Sequence, residues 1–216
     1  MKKSVLKKFN NSLFITKEAL RTISKDSEET TTKNIYRWSK SGDLMKLKNG
    51  LYISKEEFDL YHNTNGFKAL IANRLRSPSY LSTEYVLSKY NILTEATYTV
   101  TSVTLKSTRK YENKSGTYTY RSIKDSLFFG YIIEKFLSHS YYIATKEKAL
   151  FDYLYFKKNT LPNNFSNVNL VEELRLNIED FSKLEFKNLE KFAKVSNDKK
   201  IYKIIKNIIT NASNNI

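Results

Sequence analysis

The chain has 216 residues, 37 of them Lys or Arg and 22 Asp or Glu, giving a formal net charge of +15. Its 40% hydrophobic and 27% charged residues are the composition of a folded globular protein and exclude a disordered tail. With no cysteine it offers no disulfide scaffold, Cys-ligated zinc site or thiol nucleophile, and no apolar run reaches the roughly 18–20 residues that span a bilayer. Together with the lack of an apolar signal core in residues 1–8, this sets the expectation of a cytoplasmic protein. The charge points to a polyanionic partner, nucleic acid before an anionic membrane surface. Net charge is +5 over residues 1–60, +8 over 61–160 and +2 over 161–216, so the excess is densest in the middle.

In chain order, Val5 to Asn11 forms a short helix, Leu13 to Ile15 an apolar triplet, and Thr16 caps a helix from Lys17 to Ile23. A second helix runs from about Thr31 to Ser41, with Gly42 at its C-terminal stop. At about 100° per residue, Lys33, Tyr36, Arg37 and Lys40 share one face, and Ile35 and Trp38 point the other way. Such a helix packs its apolar stripe on a small core and offers its basic face to a major groove. Asn34 and Ser39 border that face, where they can read base edges. The commoner meaning of such a face is a solvated surface. The groove-reading alternative gains from the adjoining segment: Leu44 to Ile53 reads as two strands around Asn49-Gly50, the strongest short hairpin signal. Lys46 and Lys48 alternate with Met45 and Leu47, which predicts a basic face on this wing. Helix, helix and basic hairpin is the order of a winged helix-turn-helix.

The polar stretch Tyr61 to Asn65 marks a boundary, giving a DNA-binding domain over 1–62 and a second domain over 63–216. The second is expected to be α+β, ending in helices. Phe67 to Leu75 reads as a helix ending near Ser77-Pro78, and Ser82 as the cap of Thr83 to Tyr90. Residues 97–123 read as strands joined by a polar loop from Lys110 to Gly116, followed by strands at Leu127 to Ile133 and Tyr141 to Ala144. Thr145 caps Lys146 to Lys157, and helices follow at Val168 to Arg175, Ser182 to Lys194 and Lys199 to Asn211. In the last of these Ile201, Ile204, Ile205, Ile208 and Ile209 form a stripe with the spacing of a core face. Arg74, Arg76, Lys106, Arg109 and Lys110 are candidates for a second basic patch, set against the plainer view that loop tips collect solvated charge.

Little enzyme chemistry is on offer, and no catalytic residue, metal ligand or cofactor is assigned. His62 and His139 lack carboxylates at metal spacing, and five scattered glycines build neither a P-loop nor a dinucleotide fingerprint. Glu112 and Lys114 have a spacing found in metal-dependent nucleases but no evident partner aspartate. Glu147 and Asp152 do not converge on one helix face.

Three stretches in this order carry a family resemblance: GDLMKLKNGLY from Gly42 to Tyr52; ALIANRLRSPSYLSTEYVLSKY from Ala69 to Tyr90, with TVTSVT at Thr99 to Thr104; and YYIATKEKALFDYL from Tyr141 to Leu154. Together they resemble the AbiEi-type antitoxins of type IV toxin–antitoxin systems, bacterial regulators of abortive phage infection. The resemblance spans Leu13 to Leu154. It implies a winged helix that binds inverted repeats in its own promoter, and a second region that counters a cognate nucleotidyltransferase toxin without needing a stable complex with it. Family members commonly carry Pro where this chain has Lys146, and a helix start tolerates both. The rival expectations are a winged-helix regulator with a ligand-sensing second domain, and a DNA-targeted metal-dependent nuclease.

Overall fold

The computed structural model describes residues 4–9, 12–95, 97–162 and 168–213, and the fold is mixed α+β. α1 (Ser4–Lys7) is shorter than the predicted helix, whose last residues, Asn10 and Asn11, lie outside the described residues. The apolar triplet runs into β1 (Ile15–Thr16), a strand that two residues of sequence do not signal. Thr16 then caps α2 (Lys17–Ser24), its hydroxyl accepting the Ala19 N–H at 3.1 Å. α3 (Glu28–Ser41) begins earlier than the predicted Thr31. Ser27 is the reason, since its hydroxyl accepts the Thr30 N–H at 3.2 Å and Glu28 and Glu29 complement the helix dipole. Gly42, at φ +79°, takes the left-handed conformation that ends the helix.

β2 (Leu44–Lys48) and β3 (Leu51–Ser54) form the predicted hairpin, and β1 adds to the other side of β3 in an antiparallel sheet of order β1-β3-β2. β3 is buried on both faces. Tyr52 joins Leu20, Ile35, Trp38 and Leu44 in a small core under α2 and α3. Leu51 and Ile53 join Leu13, Leu47, Phe58 and Phe67 in the large core of the rest of the chain. The expected boundary at 62/63 falls in the turn between α4 (Lys55–Tyr61) and α5 (Asn65–Leu75). Phe58 before it and Phe67 after it meet at a ring separation of 6.4 Å, so one core runs across that turn.

Beyond α5 lie β4 (Ser79–Leu81), α6 (Thr83–Lys89), β5 (Thr99–Thr104), β6 (Arg109–Asn113), β7 (Gly116–Ser122), β8 (Tyr131–Phe136) and β9 (His139–Ala144). They build a sheet of order β6-β7-β5-β4-β9-β8, with β5·β7 and β4·β9 parallel and the other pairs antiparallel. The predicted loop from Lys110 to Gly116 is mostly a hairpin of β6 and β7, because Arg109 to Asn113 pairs residue by residue with Tyr120 to Gly116. The strand expected from Leu127 starts only at Tyr131, after a short 3₁₀ turn at Asp125–Leu127.

α7 (Lys146–Lys157) is capped by Thr145 as expected. α8 (Leu170–Glu173) is shorter than predicted: Arg175 turns to φ +50° and Leu176 bridges back to Leu93. α9 (Lys183–Val195) starts on a Ser182/Glu185 capping box. In α10 (Lys199–Ser213) Ile201, Ile204, Ile205 and Ile208 are fully buried, each stabilising the fold by about 1.5–3 kcal/mol. Among the described residues no helix is long and apolar enough to cross a membrane.

Candidate nucleic-acid interface

The outer face of α3 follows from its heptad-like spacing. Ile35 and Trp38 are buried in the small core, which fixes the rotation of the helix and turns Lys33, Tyr36, Arg37 and Lys40 into solvent. Tyr36 is 68% exposed, which no packing role requires. Lys33 pairs with Glu29 at 2.6 Å, one turn back. Both partners are solvated, so the pair is worth under about 1 kcal/mol and a phosphate can displace the carboxylate. The first turn is acidic, and the cationic face begins only at Lys33. Asn34 departs from the expected base-reading position: it is buried, and its amide donates to Asp26 Oδ2 at 3.3 Å. It ties α3 to the chain entering it.

The β2–β3 hairpin splits its two lysines. Lys46 stands opposite Tyr52 and Lys48 opposite Leu51, with an irregularity in β2 between them. Neighbouring residues of β3 face opposite ways, so the bulge sends the two lysines to opposite faces instead of one. Lys46 is exposed and available. Lys48 is not: its Nζ donates to the carbonyls of Arg74 at 3.3 Å and Leu75 at 2.8 Å, closing the C-terminus of α5. Burial pushes the Lys48 ammonium below the usual lysine range, with the charges of Lys106 and Arg76 adding to it and Tyr111 opposing.

That electrostatic coupling also locates the second patch. Arg76 donates to the Ser107 carbonyl at 2.6 Å and hydroxyl at 3.0 Å, holding the turn that carries Lys106. The guanidinium of Arg74 lies over Phe14 at 5.7 Å, and that of Arg109 over Tyr111 at 5.2 Å. Asn113 in turn donates to the Leu47 carbonyl at 3.0 Å, binding the β6–β7 hairpin to the wing. Lys48, Arg76 and Lys106 thus share one neighbourhood beside β2. Lys110 is partly neutralised by Glu112 at 2.5 Å.

No family model matches the chain, and no curated protein sequence matches it. The internal geometry joins the stretch Ala69 to Tyr90 to the stretch Tyr141 to Leu154. Lys148 and Asp152, one turn apart on α7 and both fully buried, form an ion pair. Tyr80 and Ser82 donate their hydroxyls to the other carboxylate oxygen of Asp152 at 3.0 and 2.7 Å. Lys148 Nζ lies 4.9–5.4 Å from the rings of Tyr80, Phe129 and Phe151. Burial pushes the Lys148 ammonium down and the Asp152 carboxyl up, against their mutual attraction. Glu147 and Asp152 stay apart, as the sequence indicates: Glu147 accepts from Asn188 at 3.1 Å, and the i, i+4 spacing of Lys148 and Asp152 is the signal that finds the network.

Ser82 consequently spends its hydroxyl on Asp152 and makes no side-chain cap for α6, contrary to expectation. Thr83, a β-branched residue at φ +54°, is held in that strained conformation by a 2.8 Å hydrogen bond to Thr101. His62 stacks on Phe58 at 5.2 Å, and His139 meets Phe14 edge-on at 6.4 Å. Among the described residues no group of three His, Asp or Glu side chains is placed to hold a metal ion.

Proposed function

We propose that the chain is a DNA-binding transcriptional repressor that serves as the antitoxin of a type IV toxin–antitoxin system, countering a nucleotidyltransferase toxin and repressing its own operon. The observation that carries the DNA half is the outward row of Lys33, Tyr36, Arg37 and Lys40 on a helix anchored by Ile35 and Trp38, with Lys46 on the adjoining hairpin. β1 pairing onto the hairpin supplies the third strand of a winged helix. Arg37 offers the bidentate fork that suits guanine O6 and N7. Asn34 and Lys48 drop out of the contact set, and Arg76 and Lys106 beside the wing extend the positive surface towards flanking phosphates. The antitoxin half is supported by the motif resemblance; Tyr80, Ser82, Lys148 and Asp152, which lie in two of its stretches, close on one another in the core.

A salt-titrated gel shift on the DNA upstream of the gene tests the first half. Arg37→Ala is expected to weaken operator binding by about 1–3 kcal/mol and relax selectivity at one base pair. Operator binding unchanged in an Arg37→Ala/Lys40→Ala double variant would sink the assignment of α3. Co-expression with the nucleotidyltransferase encoded alongside tests the second half: growth is restored by the wild-type chain.

The alternative, a regulator whose second region senses a small ligand, draws on a cleft of about 750 Å³ bordered by Glu84, Arg121, Tyr153 and Lys157. Its volume is that of small-molecule pockets. Release of operator DNA by a bound metabolite, lost in Arg121→Ala, would favour it.

A further inference from the structure

The two edges of the six-stranded sheet are built differently. β6 exposes Arg109, Lys110 and Glu112, the kind of charged edge that discourages pairing with another chain. β8 exposes Ile132 (45%) and Ile133 (60%), beside Tyr142 of β9 (45%). Its pairing with β9 runs unbroken from Tyr131↔Ala144 to Phe136↔His139, without a bulge, and the strand contains no proline. Thr145 N–H donates to the Gly130 carbonyl at 3.0 Å, so the bonding groups of Gly130 face β9. By the alternation of an antiparallel ladder, those of Ile132, Glu134 and Phe136 also face β9. The N–H and C=O groups of Tyr131, Ile133 and Lys135 therefore point out of the free edge.

We propose that β8 pairs antiparallel with β8 of a second copy of the chain, forming a two-fold dimer in which one sheet runs through both molecules. Symmetry restricts the register. The axis stands perpendicular to the sheet, and the residue on it faces its own copy. Glu134 or Lys135 on the axis sets like charges directly opposite, which destabilises a sheet. Ile132 on the axis leaves Lys135 opposite Phe129, outside the strand. Ile133 on the axis meets every condition: the outward backbone groups of Tyr131, Ile133 and Lys135 all gain partners, and Lys135 of each copy lies opposite Tyr131 of the other. Ile133 shares a face with its cross-strand neighbour Tyr142, so Tyr142 and Ile133 of both copies form an unbroken row across the joined sheet, each shielding its neighbours' flanks. The dimer is independent of the DNA-binding proposal, although its symmetry is that of an inverted repeat.

Sedimentation equilibrium of the full chain without DNA tests the proposal. At about 10–100 µM, a range that populates a micromolar dimer, the expected mass is twice the 25.3 kDa of one chain. Ile133→Lys is expected to give a single-chain mass with an unchanged circular dichroism spectrum and melting curve, since the side chain it replaces is exposed. The chain contains no cysteine, so Ile133→Cys introduces a single thiol, and a short bismaleimide should link it to its own copy. Lys114→Cys, on the β6–β7 turn, should stay unlinked. A wild-type chain that remains single over that range overturns the proposal. So does an Ile133→Lys variant that still dimerises, or equal cross-linking at position 114. Because no DNA is present, these outcomes are separate from the fate of the α3 assignment.

Discussion

α3 and α7 carry similar charged residues to opposite ends. On α3 the cations Lys33, Arg37 and Lys40 stand in solvent, where a neighbouring carboxylate costs little to exchange for a phosphate. On α7 Lys148 is sealed against three aromatic rings and its carboxylate partner is held by two further hydroxyls. The first arrangement leaves charge free to meet a partner. The second leaves none, and its matched set of donors and acceptor penalises any other packing of β4 against α7. The net charge of the whole chain does not distinguish the two, and burial does.

Breaking the α7 network should have the largest effect. Asp152→Ala leaves the Lys148 ammonium and the Tyr80 and Ser82 hydroxyls buried without their acceptor, and a loss of about 3–5 kcal/mol is expected in urea denaturation. Lys148→Met combined with Asp152→Leu should recover much of that stability, because no charge is then left unpaired. A loss below about 1 kcal/mol in Asp152→Ala would mean that water reaches the site and that the contrast with α3 is false.

A smaller effect divides the two lysines of the β2–β3 hairpin. Lys46→Ala should lower the salt dependence of DNA binding by about one unit of log–log slope and leave stability unchanged. Lys48→Ala should cost about 1 kcal/mol of stability through the lost α5 carbonyl contacts and leave the slope unchanged. Identical behaviour of the two variants would remove the distinction that the β2 irregularity creates.

The last effect appears only in alkali. Burial pushes the Tyr85 and Tyr118 hydroxyls up to about 12, and it raises those of Tyr80, Tyr120 and Tyr141 as well. Their contribution to stability is present below the ordinary tyrosine value of about 10 and is lost as pH rises towards the raised values. Phenolate absorbance should therefore develop later in the native chain than in urea, and coincident titrations would show that these tyrosines are open to solvent.

The helical face of α3 is legible in the sequence because one period, 3.6 residues, sorts Ile35 and Trp38 from Lys33 and Arg37 without reference to anything distant. The isoleucine stripe of α10 is legible for the same reason. Asn34 escapes that reading because its partner, Asp26, lies in the segment before the helix, where no periodicity reports it. Lys48 escapes it because one irregular residue in β2 reverses the alternation that would place it. β4 is invisible because three residues carry no period, and its place between β5 and β9 depends on chain more than 20 residues away in either pairing. The Lys148–Asp152 pair is local in sequence, but its burial is not: Tyr80 and Ser82 come from about 70 residues earlier.

β3 belongs to two cores at once, and this limits how the molecule can be recombined. A fragment cut after His62 would leave Leu47, Leu51, Ile53 and Phe58 facing water. An N-terminal region borrowed from another protein would have to match both sides of a four-residue strand. The N-terminal part is therefore not a detachable head, and its outer surface cannot be changed by exchanging it whole. What the architecture leaves free is the outer row of α3, where Arg37 or Lys40 can be replaced without disturbing either core.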